Sequence, residues 1–156
     1  MKKLIFFLLL FFYGDAFGAG TVTSEMVDAG PSNDTSRIKT IVFTCTADAA
    51  AATYPATAFS AAQIAYVKGY FLSHLKADPG ATGPTDNSDV TLTYGGFDIL
   101  GGNGTDIIDE TVNGVCVPYG SNGDAQYPMT GEALTLNISN NAVNSAVTVI
   151  TLVFER

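Results

Sequence analysis

A chain of 156 residues and 16.3 kDa, 47% hydrophobic and 14% charged, has room for one ordinary domain and excludes a multidomain machine. Seven Lys and Arg against fifteen Asp and Glu give a formal net charge of −8, which excludes a basic nucleic-acid module and an electrostatic hold on an anionic membrane. One His, two Cys and no Trp leave few groups for catalysis, and a charged fraction well below the ~25% of average soluble proteins suits an exported or particle-bound β-protein.

Lys2 and Lys3 precede an apolar run from Leu4 to Tyr13, and Ala16 and Gly18 place small residues before Ala19. This is the layout of a secretory signal peptide over residues 1–18, too short to span a bilayer as a helix, so any membrane contact is transient and through the leader. Residues 19–36 follow as an N-terminal segment, and 37–156 form the domain. From Arg37 to Thr46 apolar residues alternate, with Ile41, Phe43 and Cys45 on one side, which predicts a half-buried strand.

Asp48 to Ala62, rich in Ala and Thr, reads as an excursion with room for a short helix. Over Ile64 to Lys76 the apolar residues fall at helical spacing, but Tyr66, Val67, Tyr70 and Phe71 favour extended backbone and Gly69 weakens a helix interior; a strand is the preferred reading. Further strands are expected over Asp89 to Tyr94, Phe97 to Leu100, Val112 to Val117, Ala133 to Ser139 and Ala146 to Phe154. Pro79-Gly80, Gly95-Gly96, Gly101-Gly102 and Asn140-Asn141 punctuate them as turns. Short strands at this spacing predict an all-β, single-domain antiparallel β-sandwich, jelly-roll-like in character.

Cys45 and Cys116 carry no metal-ligand spacing. In an oxidising compartment they are candidates for a disulfide; otherwise they are two buried thiols packed as small hydrophobes. Gly101 to Asp109 fits one copy of the glycine-rich nonapeptide of calcium-binding β-rolls, which makes Asp106 and Asp109 weak calcium candidates. That calcium is shared between stacked turns, so one copy predicts an ordinary glycine-rich loop, with no metal or other cofactor. His74 beside Ser73 lacks the surroundings of a nucleophile elbow. No catalytic residue is assigned, and the chain is expected not to be an enzyme.

The block Asp78-Pro79-Gly80-Ala81-Thr82-Gly83-Pro84-Thr85-Asp86-Asn87-Ser88-Asp89-Val90-Thr91-Leu92, then Gly96-Phe97-Asp98-Ile99-Leu100-Gly101-Gly102 and Leu134-Thr135-Leu136-Asn137-Ile138-Ser139-Asn140, resembles a family of small β-sandwich proteins encoded in tailed bacteriophages and prophages. The resemblance covers roughly residues 37 to 156 and implies a noncatalytic virion component, such as a capsid decoration, spike or tail-associated protein. Its partners would be other structural subunits, through self-association or a capsid or tail protein, and its location a virion or the cell exterior. The alternative is a secreted bacterial cell-surface or fibre subunit, such as an adhesin, which the leader favours. The expected contact loops are the Asp78 to Asp89 corner (Asp78, Pro79, Gly80, Pro84, Asp86, Asn87, Asp89) and the Gly95 to Asp109 loop (Gly101, Gly102, Asn103, Gly104, Asp106), both placed at the ends of the sandwich.

Overall fold

The computed structural model describes residues 19–28, 37–119 and 125–156; the expected signal peptide lies outside the described residues. Two antiparallel sheets pack face to face around one core, as the strand spacing predicts. The larger sheet holds β1 (Thr21–Asp28), β2 (Ile38–Thr46), β10 (Val147–Glu155), β4 (Phe71–Pro79) and β7 (Gly114–Cys116) in that order, and β8 (Tyr127–Pro128) also pairs with β4. The smaller sheet runs β3 (Thr57–Ala58), β9 (Leu134–Ser139), β5 (Asp89–Tyr94), β6 (Phe97–Asp98).

The alternation read in the sequence is the alternation of burial. Along β2, Ile41, Phe43 and Cys45 point inward, and along β10, Thr148, Ile150, Leu152 and Phe154 do the same. β10 lies between β2 and β4 and so spends both edges on pairing. Val90, Leu92 and Tyr94 of β5 and Leu134, Leu136 and Ile138 of β9 face them from the smaller sheet. Phe43 meets Phe59 with ring centroids 5.0 Å apart. Tyr54, also buried, donates to or accepts from the Thr148 hydroxyl at 3.0 Å, which satisfies the one hydroxyl that β10 turns into the core.

The strand expected over Ile64 to Lys76 divides in two. Its first part belongs to helix α1 (Ala61–Val67), and β4 starts only at Phe71. Local chemistry overrides the β-propensity of Tyr66 and Val67: the Ser60 side chain accepts from the Gln63 N–H while the Gln63 side chain accepts from the Ser60 N–H, a capping box that starts the helix. Gly69, at φ +82°, then turns the chain into β4. The expected strand over Phe97 to Leu100 keeps only its first two residues, because Asp98 accepts from the Leu100 and Gly102 N–H groups and folds the chain into a tight turn. Val112 to Val117 shortens similarly to the three residues of β7. β1, β3 and β8 had no distinct signal. β1 extends the larger sheet with residues ahead of the segment where the domain was expected to begin.

Candidate functional site

The corner after β4 is built from backbone and short polar side chains. The Gly80 N–H donates to Val147 O and the Val147 N–H to Thr82 O, so the corner starts as a continuation of the β4–β10 ladder. Thr85 accepts from the Ala142 N–H through Oγ1 at 2.7 Å, and its own N–H donates to Asn141 Oδ1 at 3.0 Å. Asn141 Nδ2 reaches Ala52 O at 2.6 Å. Ser88 is fully buried and donates to Thr85 O at 2.7 Å. The corner, the Asn140 to Val143 turn and the loop before Tyr54 are thus braced into one end of the sandwich.

The second expected loop lies elsewhere. After the Gly95-Gly96 turn the chain runs back antiparallel to β5 and covers the edge of the smaller sheet, instead of standing at an end. Leu92 O accepts from Ile99, the Val90 N–H donates to Gly104 O, and Ser88 and Ile108 exchange both backbone bonds. Asp89 ties this run to the corner, because it accepts from the Asp106 N–H at 2.8 Å and from Asn140 Nδ2. Asp98, which the sequence reading passed over as a site residue, holds the run in place through N–H groups of Leu92, Leu100 and Gly102. An Asp between two glycine pairs is the signal that could have found it.

The expected contact residues therefore separate. Asp78, Asp86, Asn87, Gly101, Gly102, Asn103 and Asp106 are exposed. Pro84 and Gly104 are buried, Pro79, Gly80 and Asp89 are half-buried, and these five are structural. Gly101 sits beneath Tyr119, whose N–H donates to Ile99 O, and Asn103 Nδ2 donates to Val117 O. The 97–108 run and the 114–119 segment therefore meet along one flank, where Phe97, Val115, Val117 and Tyr119 remain exposed.

Of the two calcium candidates, Asp106 is exposed and gives its N–H to Asp89. Asp109 turns its carboxylate onto the Thr111 and Val112 N–H groups at 2.7 and 2.9 Å, which holds it below the usual aspartate range. Asp48 is lowered in the same way by the N–H groups of Ala51 and Ala50 in the neighbouring loop. No group of three or more His, Cys, Asp or Glu side chains that could hold a metal ion occurs among the described residues. His74 contacts its own neighbour Ser73 at 3.2 Å, and partial burial, then Lys76, depress its pKa against the opposing pull of Glu155.

At the other end, the Tyr94 hydroxyl accepts from the N–H groups of Thr130, Gly131 and Glu132 at 2.6, 2.8 and 3.1 Å and contacts Thr130 Oγ1. Burial raises the phenol's pKa, but these hydrogen bonds outweigh it and leave it lowered. Every donor aims at the protein's own side chain, so this end is a lock on the turn before β9. Among the described residues no buried side-chain nitrogen or oxygen lacks a partner.

The disulfide expectation is corrected. Cys45 and Cys116 are both buried free thiols. Cys116 lies opposite Leu75, Leu75 opposite Leu152, and Leu152 opposite Ile41, which places Cys116 in the sheet row of Ile41, on the far side of β10 and β4 from β2. At ~4.8 Å per strand and ~3.3 Å per residue, Cys45 is about 14 Å away across the sheet and about 13 Å along it. A disulfide requires Cα atoms within ~7 Å. Burial pushes Cys45 up to about 12 and Cys116 to about 11, the second also raised by Asp98. Both thiols should resist alkylation in the folded protein and label fully on denaturation without reductant; failure to label in denaturant would contradict this geometry.

Comparison with family models, with curated proteins and with solved structures found no match to the chain.

Proposed function

We propose that the chain is a noncatalytic structural subunit of a phage particle, in which a small sandwich presents a rigid loop surface to neighbouring subunits. The carrying observation is the brace centred on Asp89, which joins the corner, the 97–108 run and the Asn140 turn through Asp106 N and Asn140 Nδ2. Loops held this way lose little conformational entropy on contact, which favours association through a preformed surface. Exposed polar residues Asp86, Asn87 and Asp106 lie at the braced end, and along the covered edge the chain also exposes Tyr119 at 59% and, opposite Tyr94, Phe97 at 74%, aromatic groups of the kind that anchor protein contacts. The motifs that resemble the phage family lie in these same segments, which supports the reading.

Mass spectrometry of purified particles tests it. The protein should copurify with particles, and a chain carrying Asp86→Asn, Phe97→Ala and Asp106→Asn should keep its melting temperature within a few degrees while incorporation falls at least roughly ten-fold. Recovery on the bacterial surface and not in particles would overturn the proposal in favour of a secreted fibre or surface subunit.

A further inference from the structure

β1 is the structure's exposed long edge. Each of its residues is exposed except Val22, which is partly buried, and among the described residues no strand pairs with its outer side. The other strands that end a sheet or share an edge are two or three residues long: β3, β6, β7 and β8. β1 runs eight residues in unbroken register with β2 and contains none of the Lys or Pro residues that natural edges use to repel a further strand. Its inner face is set by β2: Val22, Ser24, Met26 and Asp28 lie opposite Cys45, Phe43, Ile41 and Lys39. Helix α1 holds the far half of that face, since Gln63 Nε2 donates to Ser24 Oγ and the Tyr66 hydroxyl to Asp28, while Val22 lies beyond these contacts.

We infer that β1 pairs with β1 of a second copy of this chain, antiparallel about a two-fold axis through Ser24, so that the two larger sheets become one. The occupant follows from the strand's self-complementarity. A two-fold that keeps inner face against inner face pairs residues of like parity, so it must centre on a residue, and the two centres that keep most of β1 paired are Ser24 and Glu25. Centring on Glu25 sets two carboxylates directly opposite each other and Asp28 against Val22. Centring on Ser24 sets Val22 against Met26 of the partner subunit on the inner face, and Glu25 against Thr23 and Thr21 against Val27 of the partner subunit on the outer face. No like charges then oppose, which matters in a chain of net charge −8. The same axis brings the helix of each copy beside the Val22 end of the other. Met26, at 47% exposure, gains a second cross-strand neighbour on the side away from Ile41.

This deepens the reading of the chain as a structural subunit by naming one partner and one contact, and the two fail separately. In sedimentation of the natively produced protein, a dimer is expected. Val22→Glu with Met26→Glu sets carboxylate against carboxylate twice across the axis and should weaken the dimer at least roughly ten-fold, whereas Val22→Lys with Met26→Glu sets opposite charges together and should restore it. Ser24→Cys should form an interchain disulfide on mild oxidation, with Cys45 and Cys116 too buried to compete, and Glu25→Cys should not. Melting temperatures of all variants report whether each still folds. A monomeric native protein, equal dimerisation of the two charge variants, or crosslinking through Glu25→Cys in place of Ser24→Cys overturns the inference. A dimer absent from particles would leave it standing and remove the proposed function.

Discussion

Phe43→Ala is expected to lower the free energy of unfolding by about 3–5 kcal/mol, a large share of the ~5–15 kcal/mol that holds a domain of this size. Phe43 is fully buried at the centre of β2, between Ser24 on β1 and Ile150 on β10. Its ring tilts at 50° against Phe59, whose N–H donates to Leu134 O at the start of β9. The side chain therefore joins the two sheets, and removing it leaves a cavity that strands paired on both sides cannot close. Denaturant unfolding should show a midpoint displaced by that amount with an unchanged slope, and Phe43→Leu should cost less than about 2 kcal/mol because it retains most of the volume. A cost below about 1 kcal/mol for the alanine variant would mean that the sheets do not meet at this ring.

Gly104→Ala is the second large effect, about 2–4 kcal/mol, from a residue outside every strand. A Cβ at Gly104 would stand 2.0 Å from Val90 O and 2.9 Å from Leu100 Cδ1. The Gly104 carbonyl accepts from the Val90 N–H at 2.8 Å, so the clash falls where the 97–108 run is bonded to β5. The run must then lift off the edge of the smaller sheet, which breaks that bond and loosens the Asp106 contact with Asp89. Gly102→Ala is the control: nothing lies within 4 Å of its added Cβ, and only its φ of +87° opposes the change, for about 1–2 kcal/mol. Measured by thermal or chemical unfolding, the alanine at 104 should cost more than the alanine at 102. The reverse order would place the close approach at the wrong glycine.

The strands that face the core on one side were legible because their signal is local. Ile41, Phe43 and Cys45 alternate in the chain as they alternate in burial, and Leu134, Leu136 and Ile138 do likewise. β1 left no such trace, since an edge strand with every residue exposed or partly buried has no apolar face to write into its pattern. The helix was missed for a different reason: seven residues are too few for a period of 3.6 to outweigh Tyr66 and Val67, and the capping box at Ser60 and Gln63 decides the matter.

The candidate loops divide along the same line. The all-β sandwich, the positions of the turns and the two loop segments were legible in the chain, because glycine, proline and asparagine act on the backbone where they stand. Long-range packing set the rest: the 97–108 run caps an edge and does not stand at an end, Pro84 and Gly104 are buried, and Cys45 and Cys116 are separated by the width of β10 and β4. Each of these depends on which strands become neighbours, and strand order is set by the packing of residues far apart in the chain. A cysteine's local surroundings report that it will be buried; the partner it could reach is fixed by the order of the strands between.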